Sequence, residues 1–116
     1  MSGGHATPPG RPGRRPALVR LARRTEREAT AVVEGDFDLG GMPEVSTCID
    51  ELVEAGCTAL TLDLTGVTFA DANALGLLVR TKRTLEAQGG SLHVAHHDNP
   101  YVTRLLAVTG LSVLFE

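Results

Sequence analysis

The sequence predicts an α/β fold: one domain with a mixed β-sheet that opens as an antiparallel hairpin, continues in strand–helix alternation and carries helices packed on it. Three observations lead there. Short β-branched and apolar runs alternate with longer stretches of helical periodicity. Gly and Pro fall at the joints between those runs. A chain of 116 residues that is 42% hydrophobic suits a single core, and with 3% aromatics and no Trp that core is built from Leu, Val and Ala.

Residues 1–16, MSGGHATPPGRPGRRP, are rich in Gly, Pro and Arg, lack apolar periodicity and are expected to be disordered, which leaves 17–116 for the domain. From Ala17 to Arg23 the pattern alternates as in an edge strand, 24–28 is a polar turn, and Ala29 to Glu34 is the hairpin partner. The stretch GDFDLGGM, 35–42, reads as a loop. Pro43 then fits a first helical position, where its missing N–H costs nothing. Val45, Cys48/Ile49, Leu52 and Val53/Ala55 form one helical stripe, stopped by Gly56. Thr58 to Leu64, TALTLDL, is a buried strand. A helix from about Asn73 to Gln88 buries Leu75, Leu78 and Leu85 and ends at Gly89-Gly90. Ser91 to His96 is a short strand. Asp98 or Asn99 caps a third helix with Pro100 in its first turn, Val102, Leu105 and Leu106 facing inward and Gly110 closing it. Leu111 to Phe115 is read as a last strand, giving the order ββαβαβαβ.

Several functions are disfavoured on composition. No apolar run approaches the ~20 residues that span a bilayer, and no hydrophobic stretch follows Arg14-Arg15 as an export signal requires. Residues 1–27 carry seven arginines against one acid, whereas 28–116 carry four basic residues against thirteen acids. The folded part is therefore acidic and repels nucleic acid. The basic arm is either a solvated tail or a contact for an anionic partner. Cys48 and Cys57, nine residues apart, would fall on opposite faces of a helix and have no metal-ligand spacing, which suits a reduced, cytoplasmic protein. A phosphate-cradling Gly loop, a nucleophile elbow and a zinc-type Cys pattern are all missing, and no cofactor is expected. His93, His96 and His97 with Asp98 have the residue types of a zinc site. Their strand context favours solvated or hydrogen-bonded imidazoles, since adjacent residues of an extended chain diverge.

The best candidate for function is the turn after Leu64, TGVTFADANALG, where a strand feeds a helix N-terminus. Asp71 and Asn73 are both capping residue types, and a capped helix accounts for them by itself. The stretch from Leu60 to Leu111, however, resembles the C-terminal part of a STAS domain, similar to bacterial anti-sigma factor antagonists. The family's pattern at this turn is a hydrophobic residue, any residue, then Asp-Ser-Ser/Thr-Gly-Leu-Gly/Ala. Here it stands as Phe69-Ala70-Asp71-Ala72-Asn73-Ala74-Leu75-Gly76. Upstream, Gly35-Asp36-Phe37-Asp38 resembles the family's Gly-Glu-Leu-Asp, and Gly89-Gly90 and Leu105-Leu106 to Gly110-Leu111 sit where members carry similar elements.

The resemblance implies a non-enzymatic regulator that docks on an anti-sigma factor of the GHKL kinase type and frees the sigma factor. It implies partner-binding roles for Asp36, Asp38, Asp71, Ala72, Asn73, Ala74 and Leu75. For Asp36 and Asp38 ordinary turn chemistry is an equal account. In the family the kinase phosphorylates the second Ser or Thr of the motif. That adds about −1.5 to −2 charges to a packed interface and ejects the partner. This chain has Asn73 there and Ala72 before it, and a carboxamide has no hydroxyl to phosphorylate. Ala74 in place of Gly is expected to add a methyl to the docking surface, and Asn73 to keep the capping role. The expectation is a phosphorylation-independent antagonist. The alternative is a structural STAS subunit in a signalling scaffold or beside a transporter's ATPase. Thr65, Thr68, Thr81 and Thr84 are the hydroxyls near enough to replace the missing one.

Overall fold

Side-chain alternation builds the sheet. The structure, a computed structural model, describes residues 15–115. Strand β1 (Leu18–Arg24) pairs antiparallel with β2 (Glu28–Phe37). After helix α1 (Met42–Glu54), β3 (Ala59–Ala70) lies parallel to β2. After α2 (Ala72–Ala87), β4 (Ser91–Ala95) lies parallel to β3, and α3 (Pro100–Thr109) follows. The sheet order is β1-β2-β3-β4. Ala29, Ala31 and Val33 of β2, Leu60, Leu62 and Leu64 of β3 and Leu92 and Val94 of β4 are buried against the helices. The alternate residues Thr30, Thr61 and His93 form a cross-strand row on the other face. Helix stripes meet this core: Val45, Ile49 and Leu52 from α1, Leu75, Leu78 and Leu85 from α2, Val102 and Leu106 from α3. Each buried Leu contributes about 1.5–3 kcal/mol.

The mixed sheet and the strand–helix alternation agree with the sequence reading, with four differences. Leu111 to Phe115 is not a strand: Ser112–Phe115 is a 3-10 turn. Gly110 takes a left-handed φ of 74°, and Leu111 N–H then bonds back to the Leu106 carbonyl, so the chain folds onto α3 and never reaches a sheet edge. Phe115 alone of its last three residues is buried. Second, β2 runs on through Phe37 and leads into a 3-10 turn at Leu39–Gly41, so Pro43 is the second residue of α1 and not the first. Third, α2 begins at Ala72 with Asp71 as its cap.

The fourth difference matters most. β3 extends to Ala70, six residues beyond Leu64. Thr65-Gly66 has turn composition, yet the strand absorbs it as irregularities against β2. From Val32 to Glu34 the partners jump from Asp63 to Gly66, and from Gly35 to Asp36 they jump from Val67 to Phe69. On its other edge β3 loses its neighbour, because β4 pairs only with Ala59 to Asp63. Asn99, 3% exposed, takes that neighbour's place. Its Nδ2 donates to the carbonyls of Leu64 (2.9 Å), Thr65 (3.2 Å) and Val67 (2.8 Å). Its Oδ1 accepts from the N–H groups of Tyr101 (3.0 Å) and Val102 (3.2 Å), which caps α3. Asp98 precedes it at a φ of 55°, so the sharp turn falls one residue before the cap.

Two glycines are demanded by close approach. A Cβ at Gly90 would lie 1.9 Å from the Thr58 carbonyl oxygen, the group that accepts the Ser91 N–H and starts the β3–β4 pairing. Gly35, at a φ of 85°, would place a Cβ 2.2 Å from the Pro16 carbonyl oxygen. The expected tail 1–16 falls mostly outside the described residues, but Arg15 and Pro16 lie against β2.

Replacing Asn99 by Ala removes a cap of about 1 kcal/mol and leaves buried carbonyls unpaired at about 1–3 kcal/mol each. Urea denaturation of Asn99→Ala is expected to show a loss of about 4 kcal/mol or more. Asn99→Asp is expected to be no better, since it keeps the cap acceptor but turns a carboxylate onto the same carbonyls. A loss below about 1 kcal/mol in both would refute this account of the β3 extension.

Candidate docking site at the ends of β2 and β3

Parallel pairing and the β3 irregularities set Asp36 opposite Phe69 and Phe37 opposite Ala70, so both strands end side by side. Each strand hands over to a helical element through an aspartate. Asp38 Oδ1 accepts from Gly41 N–H at 3.1 Å and caps the 3-10 turn that leads into α1. Asp71 Oδ1 accepts from the N–H groups of Asn73 (2.9 Å) and Ala74 (3.3 Å) and caps α2. These bonds satisfy donors that a helix start leaves open, and they set negative charge on the positive end of the helix dipole.

The first turn of α2 then divides by helical geometry. Ala72, Asn73 and Gly76 are exposed, whereas Ala74 and Leu75 are buried. The Ala74 methyl therefore lies in the core and adds nothing to the docking surface, contrary to the sequence reading. Asn73 is not the cap either: its Nδ2 donates to Asp71 Oδ2 at 3.4 Å. As the second residue of α2, Asn73 lies on its exposed face, while Asp71, two residues earlier, serves the backbone.

Asp36 lies beneath this surface, fully buried. Its Oδ1 accepts from the Thr68 hydroxyl at 2.6 Å and its Oδ2 from the Arg15 N–H at 3.0 Å. Its own N–H donates to the Arg15 carbonyl at 3.0 Å. One carboxylate thus clasps the entering chain, β2 and the extended part of β3. Of the seven residues singled out in the sequence, Ala72 and Asn73 face outward, Asp71 is half-buried at the rim, and Asp36, Asp38, Ala74 and Leu75 lie below. Thr68, Arg15 and Asn99 escaped notice as parts of this architecture. An Asn-Pro pair signalled the cap of α3, but no local pattern signals its bonds to β3.

The neighbouring hydroxyls are occupied or distant. Thr65 Oγ1 donates to Asp63 at 2.7 Å, Thr68 to Asp36, and buried Thr81 to the Leu77 carbonyl at 2.7 Å. The Thr65 hydroxyl, with the Thr65 N–H, holds the Asp63 carboxyl below the usual carboxylate range. Thr84 is exposed, about 16 Å along α2 from Asn73. Burial raises both cysteine thiols, Cys48 and Cys57, which keeps them protonated at neutral pH and poor nucleophiles. Cys57 lies beyond α1 in the structure, not on it. His96 bridges α3 and the last turn: Nε2 donates to the Phe115 carbonyl at 3.4 Å, and Nδ1 sits 3.1 Å from Thr103 Oγ1. Among the described residues no three His, Cys, Asp or Glu side chains gather as a metal site, and no helix is long and apolar enough to cross a membrane.

Comparison with known proteins matches this architecture. Residues 21–116 match the family described as "Mlab, STAS domain", and the chain belongs to that family. It is 27% identical over 94 residues to the anti-sigma-B factor antagonist of Bacillus subtilis (strain 168), covering 81% of this chain and 84% of that one. An anti-sigma factor antagonist from Mycobacterium paratuberculosis superposes with a TM-score of 0.73 at 23% identity, over 84% of this chain and 83% of that one. The anti-sigma factor antagonist SpoIIAA in its unphosphorylated form gives 0.71 at 20% identity, over 85% and 86%. At those identities the two structures establish a shared STAS fold of the kind that anti-sigma factor antagonists have.

The division of labour in the α2 turn is open to measurement. Asp71→Ala is expected to lower stability by about 1 kcal/mol, whereas Asn73→Ala stays within about 0.5 kcal/mol of the parent. Thermal unfolding of the two variants side by side reads the difference.

Proposed function

We propose that this protein is a non-enzymatic regulator that docks, through the first turn of α2 and the adjoining end of β2, on an anti-sigma factor of the GHKL kinase type. It does so without phosphorylation at the docking turn. One observation carries the reading: the outward position of the turn is Asn73, set on an Asp71-capped helix in a STAS fold. The shape that a partner would meet is built by Asp71, Asp38 and the strand ends, and none of these needs a hydroxyl at position 73. The similarity to the Bacillus subtilis anti-sigma-B factor antagonist supports the choice of partner class. The occupied hydroxyls of Thr65, Thr68 and Thr81 support the absence of a replacement phosphosite.

An exposed carboxamide is neutral, so position 73 sits in an interface without electrostatic cost. A carboxylate there adds a charge beside Asp71 and must shed water on docking. Asn73→Asp is therefore expected to weaken binding of the purified kinase about tenfold or more, with Asn73→Ser close to the parent. With ATP present, only Asn73→Ser is expected to gain a phosphate on this turn and then dissociate. Equal affinity for all three proteins, read by biolayer interferometry, would place docking elsewhere. A phosphopeptide within residues 58–80 of the parent chain would sink the phosphorylation-independent reading.

A further inference from the structure

Helix α3 carries two apolar stripes. Val102 and Leu106 point into the core. Tyr101, Leu105 and Val108, spaced i, i+4 and i+7, form a second stripe on which Tyr101 is 49% and Val108 75% exposed. Scattered surface hydrophobics need no explanation, but this row faces Phe69 and Ala70 at the end of β3. Together with Arg104 these residues line a groove of about 320 Å3. Arg104 is exposed, and its guanidinium makes no ion pair or hydrogen bond with any described residue. In a folded part with thirteen acids against four basic residues, Arg104 is the basic residue that lines this groove, so it gives the apolar surface a local positive charge. The groove also adjoins the docking turn, because Ala70 is followed directly by Asp71, and three Cα–Cα steps put it within about 11 Å of Asn73.

We propose that this groove receives an apolar helical segment of the protein partner, with a carboxylate on that segment meeting Arg104. The mode is a helix face laid into a groove, with side chains at i and i+3 or i+4 entering between Phe69 and the α3 stripe. The charge gives orientation and encounter rate, the apolar anchors give residence time. The inference rests on the partner-binding function proposed above and extends its surface from the α2 turn to α3.

The test uses the full chain and the purified GHKL-type anti-sigma kinases of the source genome. Val108→Glu and Arg104→Glu change exposed side chains, and unchanged melting curves check that both fold. Each is expected to weaken kinase binding about tenfold or more, with Arg104→Lys near the parent and the Arg104→Glu loss shrinking in high salt. The chain's single Tyr gives one 19F resonance after fluorotyrosine labelling, and Tyr101 is expected to shift on saturation with the kinase. Parent-like affinity of both Glu variants, with Asn73→Asp still weakened, would overturn the groove and leave the docking turn standing. No binding of any kinase to the parent would overturn both readings. Self-association of the parent that Val108→Glu abolishes, seen by light scattering, would give the groove to a second copy and overturn the proposal.

Discussion

The amide of Asn99 is the interaction on which the rest of the architecture depends. A strand that outlasts its neighbour leaves a row of carbonyls facing nothing, and buried carbonyls without donors are costly. β3 outlasts β4 by the stretch from Leu64 to Ala70. One side chain from the start of α3 supplies the donors there, while its oxygen serves the first N–H groups of α3. Only a carboxamide has an acceptor and donors on one planar group of this size. The same residue therefore both supports β3 where β4 leaves it and fixes where α3 begins.

From that extension the site follows. Had β3 stopped at Leu64, α2 would start beside the body of the sheet. Instead Phe69 and Ala70 carry the chain alongside Asp36 and Phe37 before Asp71 turns it into α2. Asp36 locks the pairing from below, accepting the Thr68 hydroxyl and the Arg15 N–H. The outer surface at this end is consequently assembled from two strand ends and two capped helical starts, held by side-chain hydrogen bonds of Asp36, Asp38 and Asp71. Such a rigid, shallow platform is suited to protein recognition, because little conformational entropy is lost when a partner docks.

Much of this was legible in the sequence, and the parts that were not share a cause. Strands and helices announced themselves where one face is buried, as in Leu60, Leu62 and Leu64 or Val45, Ile49 and Leu52, because burial imposes a period. The resemblance of Gly35-Asp36-Phe37-Asp38 and of Phe69 to Gly76 to a STAS pattern singled out two segments that the structure brings side by side. What failed depends on particular hydrogen bonds and backbone angles that composition does not report. Thr65-Gly66 is turn-like by composition, and it remains strand through irregular pairing with β2 on one edge and Asn99, some thirty-four residues away, on the other. Leu111 to Phe115 has strand composition, but a left-handed Gly110 sends it back along α3. Capping composition at Asp71 and Asn73 was legible, whereas the assignment to Asp71 required the helix start itself.

That last distinction bears on how a switch residue can be lost without loss of the surface around it. If the residue at position 73 were the cap, its identity would be tied to the stability of α2, and Ser, Thr and Asn would be retained for structural reasons. Because Asp71 caps the helix and Asn73 contributes only a long 3.4 Å bond back to it, position 73 is released from that duty. Its side chain is exposed, and the fold does not fix its identity. On the proposed function, a hydroxyl there would serve a kinase and a carboxamide would serve contact alone. The buried residues below, Asp36, Ala74 and Leu75, hold the platform in either case. Under the proposed function, docking and its control by phosphate are thus separable, since one would depend on the cap and the core and the other on a single outward side chain.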